Sequence, residues 1–198
     1  MSSKTETFYN KFSSFYPLVD IFLKAQKKVL LREINILPEG HLLEIGVGNG
    51  THLRKYKKHK IIGIDTSAAM LNIARKQTSC NIELVQMDGL CLLYDKAFFD
   101  YVVLSHVIAV VDDPEKLMEE VLRVLKPGGR VYILNHFTPN NWLRQVDKAF
   151  HAGSKVLHFK SVFHIHQIAT LEKFTLLKEI SLGAASYFKL LVYQKGEK

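Results

Sequence analysis

Apolar residues recur along this chain in two rhythms. Over residues 16–37, Leu18, Phe22, Val29 and Leu30 form a stripe, with Lys24, Lys27, Lys28 and Arg32 on the other faces. That pattern predicts a basic amphipathic helix, ended by Pro38, Glu39 and Gly40. Short apolar runs follow at 41–45, 60–65, 82–88, 98–106 and 130–136, most of them ending on a polar or acidic residue. Runs of this length read as parallel strands buried on both faces. Helices are predicted between them at 51–58, from the N-cap Ser67 to about Lys76, and at 112–125. The last of these opens with acidic Asp112 and Asp113, then Pro114. Residues 174–182 and 187–193 read as a closing hairpin joined at Gly183. Strands alternating with helices predict a doubly wound α/β sheet, and 198 residues suit one domain over 1–198.

The first strand leads into EIGVGNG, residues 44–50, with glycines at 46, 48 and 50. Glycine accepts positive φ and leaves the backbone open to a ligand. The second strand ends at Asp65, where a βαβ nucleotide unit places the carboxylate that binds ribose hydroxyls. The spacing is G-x-G-x-G rather than the dinucleotide G-x-G-x-x-G. Glu44, two residues ahead of the first glycine, would repel a pyrophosphate and suit a cation-bearing amino-acid group. The pattern therefore calls for a nucleoside ligand with positive charge and no phosphate.

Composition narrows the setting. The net charge of +8 points to an anionic partner, either nucleic acid or anionic lipid. No window is apolar enough to span a bilayer, and the N-terminus has no signal-peptide core, so a cytoplasmic protein is expected. Cys80 and Cys91 have neither metal-ligand nor redox spacing and read as reduced packing residues. His164 and His166 lack further convincing ligands, so no metal is expected.

Glu44, the glycine turn and Asp65 together resemble motif I and its ribose-binding partner in class I S-adenosylmethionine-dependent methyltransferases. "EVLRVLKPGGRVYIL" resembles the helix-turn-strand of the same family. The resemblance implies a three-layer α/β/α Rossmann-like methyltransferase fold, with a seven-stranded, mostly parallel sheet and a C-terminal antiparallel hairpin. It implies S-adenosyl-L-methionine as cofactor and S-adenosyl-L-homocysteine as product. The cofactor-binding residues expected are Glu44, Gly46, Gly48, Gly50, Asp65, Met70, Met87, Asp88, Gly89 and Ser105, with Met87 and Asp88 at the adenine. The apolar stretch 107–110 is expected to wall the methyl-transfer pocket.

The acceptor must be read from other segments. Nucleic-acid amino-methyltransferases carry an Asn/Asp-Pro-Pro-aromatic tetrad after the fourth strand, whereas this chain has Ser105, His106, Val107 and Ile108. No cysteine stands where cytosine C5 chemistry would need one. Tyr9 and Tyr16, with the aromatic residues between them, resemble the N-terminal segment of small bacterial phospholipid N-methyltransferases and their quinone-methyltransferase relatives. "LSHVIAVVDDPEKLMEEVLRVLKPGG" and "ILNHF" resemble the phosphatidylethanolamine branch. Asn10 and Pro17 depart from that pattern, which has Asp at both places. The resemblance implies methylation of the phosphatidylethanolamine headgroup towards phosphatidylcholine by an enzyme peripheral on the membrane's cytoplasmic face. The alternatives are a quinone precursor or other small acceptor, or a non-catalytic donor-binding module. His106 and His136 are candidate bases, Tyr9 and Tyr16 candidates to orient the acceptor, and Arg144 and Lys148 candidates to hold a lipid phosphate. Residues 1–38 are expected to form a helical lid, 39–137 the cofactor core, 138–170 a substrate-covering insertion and 171–198 the hairpin. The helix over 16–37 reads equally as a membrane-docking face or as an ordinary solvated face over a core.

Overall fold

A computed structural model describes residues 16–78, 82–136, 165–182 and 188–197, without the side chains of 16–24 and His166. The helices are α1 (Tyr16–Asn35), α2 (Ala68–Arg75) and α3 (Pro114–Val124). The strands are β1 (His41–Ile45), β2 (Lys60–Asp65), β3 (Ile82–Gln86), β4 (Phe99–Ser105), β5 (Leu125–His136), β6 (Phe174–Leu182) and β7 (Phe188–Lys195). They form one seven-stranded sheet in the order β3-β2-β1-β4-β5-β7-β6. The first five strands run parallel, and β7 pairs antiparallel with both β5 and β6. The expected sheet and its closing hairpin are both present.

Strand alternation divides the core between the two faces of the sheet. Leu42, Val103, Tyr132 and Leu134 pack on one side with Leu30, Leu31 and Ile34 of α1 and Leu71 of α2. Leu43, Val102, Leu104 and Ile133 pack on the other with Leu117, Met118, Val121 and Val124 of α3. Each fully buried aliphatic side chain contributes roughly 1.5–3 kcal/mol, against at most about 0.7 kcal/mol per residue from helical propensity. Burial of its apolar stripe is therefore what anchors α1. The N-caps match the sequence pattern: Ser67 Oγ accepts from Met70 N, and the Asp113 side chain accepts from Lys116 N. At the far end of α3, Lys195 Nζ donates to the carbonyls of Leu122 and Leu125, a cation placed where a helix C-terminus favours one.

Three local expectations are corrected. The helix expected over 51–58 is a single 3-10 turn, Leu53–Lys55. Strand β5 begins at Leu125, directly after α3, so the Lys126-Pro127-Gly128-Gly129 stop lies within the strand's irregular start opposite β4. Cys91 is free and exposed rather than a packing residue, and Cys80 lies outside the described residues.

The segment with this turn is fastened to Glu44. This carboxylate, on β1, has no solvent exposure. His52 Nε2 lies 2.6 Å from Glu44 Oε1, and Tyr56 Oη donates to Oε2 at 2.8 Å. A carboxylate taken fully out of water requires such partners. The chain after the glycine turn folds back over β1 to supply them. Burial, then the neighbouring Glu44 charge, raise the Tyr56 pKa well above its ordinary value, so the phenol stays a donor. Tyr56→Phe would leave Oε2 without this bond. It is expected to lower the unfolding free energy by about 2 kcal/mol in urea titrations. An unchanged midpoint would show that Tyr56 does not anchor the turn.

Candidate functional site

In an open α/β sheet, ligands bind beyond the carboxyl ends of the strands, where the strand order reverses. Here that point lies between β1 and β4, and a cleft opens there. Its wall joins the ends of β1, β2, β3 and β4: Gly46 and Gly48, then Asp65, Thr66 and Met70, then Met87, Asp88 and Gly89, then Ser105 and His106. Val107, Val110 and Val111 complete it with an apolar side.

The glycine turn is shaped by close approach. Gly46 has φ +74°, and a Cβ there would collide with the Val107 side chain across the cleft. Gly48, at φ +55°, donates its N–H to Asp65 Oδ2 at 2.8 Å, while Ser67 N donates to Oδ1 at 2.9 Å. One carboxylate thus ties together the turns after β1 and β2. Burial raises the Asp65 pKa above the ordinary carboxylate value, against the lowering pull of the Ser67, Gly48 and Thr66 amides.

Most of the expected cofactor residues meet at this wall. Two do not. Glu44 is absent from the lining, both its oxygens being turned to His52 and Tyr56. Gly50, at φ +68°, packs against α2, where a Cβ would stand 2.7 Å from Ala74 Cβ. The negative charge assigned to Glu44 reaches the cleft from Asp65 and Asp88 instead. Among the described residues the lining includes no lysine or arginine, so this wall suits a cationic nucleoside far better than a pyrophosphate.

On the β4 side, His106 takes φ +60°, unusual outside glycine, and its N–H donates to Leu134 O at 2.7 Å. Burial lowers its imidazole pKa to about 3, helped by Lys27, His136 and His52. The ring is therefore neutral at physiological pH and too weak a base to store a proton there. His136 is buried on β5 and does not line the cleft. Phe188 of β7 meets both rings edge-on, at 5.8 Å from His106 and 6.4 Å from His136. Sequence reasoning missed His52, Tyr56 and Phe188. The four-residue spacing of His52 and Tyr56 hinted at a shared partner, whereas the position of Phe188 depends on a long-range strand pairing. Tyr16 begins α1, its side chain undescribed, while Tyr9, Arg144 and Lys148 lie outside the described residues. Among the described residues there is no metal-holding group of His, Cys, Asp or Glu.

Comparison with known proteins agrees with this geometry. Residues 43–133 match the methyltransferase domain family. The chain is 32% identical over 163 residues to the phosphatidylethanolamine N-methyltransferase of Cereibacter sphaeroides, covering 79% of this chain and 80% of that protein. It is 26% identical over 154 residues to the demethylmenaquinone methyltransferase of Shouchella clausii, covering 69% of this chain and 66% of that one. Its fold overlays, with a TM-score of 0.78 and 16% identity, on a chain from the complex between the Haloferax volcanii Trm112 methyltransferase activator and a methyltransferase, covering 99% of both. A cleft at the sheet's switch point, a glycine turn pinned by Asp65 and these matches lead to one conclusion: the chain belongs to the class I S-adenosylmethionine-dependent methyltransferases.

Proposed function

We propose that this methyltransferase acts on the headgroup amine of phosphatidylethanolamine and its monomethyl and dimethyl forms. The similarity to the Cereibacter sphaeroides enzyme over four fifths of both chains carries the reading. The bound donor supplies a methyl group activated on a cationic sulfur. Asp65 would hold its ribose hydroxyls, Met87 and Asp88 its adenine, and the turn at Gly46 and Gly48 its amino-acid part. Because the leaving group is so activated, the protein's task is to orient the nucleophile and exclude water. The apolar side formed by Val107, Val110 and Val111 serves the second need. Burial and nearby positive charge both favour the neutral, attacking form of an amine.

The demethylmenaquinone relative supports a second reading, a quinone precursor as acceptor, over about two thirds of that protein's length. Labelled donor offered with a mixed lipid extract, quinone precursors and small amines decides between them. Label is expected in mono-, di- and trimethylated phosphatidylethanolamine. Label only in a quinone would transfer the assignment to the second reading.

Donor binding is expected to weaken in acid. Ribose hydroxyls donate to the ionised carboxylate, so binding is lost as the pH falls through the Asp65 pKa. Because burial raises that pKa, the loss should begin above the ordinary Asp value of about 4. Titration calorimetry across pH would show it, with Asp65→Asn flattening the profile. At neutral pH, Asp65→Ala should cost on the order of 2 kcal/mol in donor affinity, and Asp88→Ala less. Equal affinities in both variants and the native protein would mean that the donor lies elsewhere.

The peripheral membrane role finds its support in exposed cations. Lys28 and Arg32 of α1 are exposed, whereas Lys27 is half-buried with its charge felt at His106. Asn35 bonds Lys55 O and Lys57 N at 3.0 Å each, so the exposed Arg54, Lys55, Lys57 and Lys58 lie at the amino edge of the sheet, away from the cleft, and are left out of the docking face. Each cation near an anionic surface contributes about 1 kcal/mol, screened by salt. Binding to phosphatidylglycerol vesicles should therefore exceed binding to phosphatidylcholine vesicles and fall with salt. Lys28→Glu with Arg32→Glu should weaken it without changing donor affinity. Unchanged vesicle binding in that double variant would remove α1 from the docking face.

A further inference from the structure

Two buried polar atoms on the cleft wall lack hydrogen-bond partners among the described residues, Ser105 Oγ and His106 Nε2. Buried polar atoms in folded proteins are nearly always paired, and of the unpaired ones these two belong to residues of the cleft wall, where a polar ligand could satisfy them. The His106 backbone and ring are held firmly at this wall. A left-handed backbone costs about 1–3 kcal/mol outside glycine, and surrounding structure must hold it. Here the hydrogen bond to Leu134 O fixes the backbone, and the Phe188 edge packs against the ring.

Resting on the amine reading above, we propose that His106 Nε2 accepts a hydrogen bond from an N–H of the acceptor amine and thereby aims the nitrogen lone pair at the transferred methyl group. Only the tautomer protonated on Nδ1 can do this. The other tautomer would donate into the lone pair and block attack. The ring's low proton affinity, set by burial, keeps it an acceptor of hydrogen bonds rather than of the proton.

Successive transfers then differ. In each, the nitrogen lone pair forms the N–C bond while the C–S bond breaks and leaves its electron pair on sulfur. The resulting ammonium releases its proton to water before another round. The attacking primary amine has two N–H bonds, the secondary amine one and the tertiary amine none. His106 can therefore orient the first two transfers and has nothing to hold in the third. It is a specificity residue for amines that still carry hydrogen.

The test compares initial rates on vesicles containing phosphatidylethanolamine, its monomethyl form or its dimethyl form, each offered separately at saturating donor. His106→Gly suits φ +60° without strain. It should slow the first two transfers about tenfold or more and the third less than about threefold. His106→Gln, whose amide oxygen reaches towards the Nε2 position, should recover part of the loss. A readout without turnover uses calorimetry with short-chain phosphatidylethanolamine and phosphatidylcholine in the absence of donor. The native protein should bind the N–H-bearing headgroup several-fold more tightly, and His106→Gly should bind both alike. Equal slowing of all three transfers, or a headgroup preference that survives in the variant, overturns the proposal. If His106→Gly does not fold, the Gln variant and the native headgroup preference decide, and a native protein without that preference overturns it. A native protein that methylates none of the three lipids overturns the amine reading itself, and this inference with it.

Discussion

A carboxylate without solvent exposure constrains everything built on β1. Glu44, the fourth of the five residues of β1, is fully buried and needs hydrogen-bonding partners. The chain supplies them by turning back immediately after the glycines, so that His52 and Tyr56 close over the carboxylate. The turn in which Gly46 and Gly48 face the cleft is itself held from β2, by Ile64 O and Asp65. With both Glu44 oxygens engaged, the wall's negative charge is left to Asp65 and Asp88. A residue that reads in sequence as a ligand contact thus serves first to anchor the chain that follows the turn.

The same economy marks Asp65. Its two oxygens take one amide from the β1 turn and one from the β2 turn, which couples the two halves of the cleft through a single side chain. Ligand recognition and loop geometry are therefore difficult to separate at this position. On the opposite wall, His106 is held in an uncommon backbone conformation by β5 and flanked by β7. The lining residues Gly46, Asp65, Met87 and Ser105 come from the parallel half of the sheet, whereas the ring beside His106 comes from the antiparallel strand added to it.

Much of the architecture was legible because strands buried on both faces carry unmistakable apolar runs, and because Ser67 and Asp113 mark helix starts with side chains that cap them. The helix expected after the glycines is absent. The stretch 51–58 has helical composition but folds as a 3-10 turn whose His52 and Tyr56 bond the buried Glu44, a contact that periodicity does not report. The roles of Phe188 and Lys27 were likewise out of reach. Phe188 arrives beside the two histidines through pairing with His136, and Lys27 through the packing of α1 on β5. Tyr9, Arg144 and Lys148 fall outside the described residues, so their expected roles stand only as the resemblance implied them.

Strand β7 lies between β5 and β6, although it comes last in the chain. Until residues 188–195 are in place, β5 has a bare edge, and β6 has no neighbour at all. Assembly of this half of the sheet therefore waits on a contact that spans more than fifty residues from β5, a separation that slows folding and leaves β5 open to pairing with other chains. During synthesis the parallel half can form while its antiparallel border is still missing. The aromatic ring that flanks His106 arrives with that final strand, so the border of the site nearest His106 is completed together with the sheet.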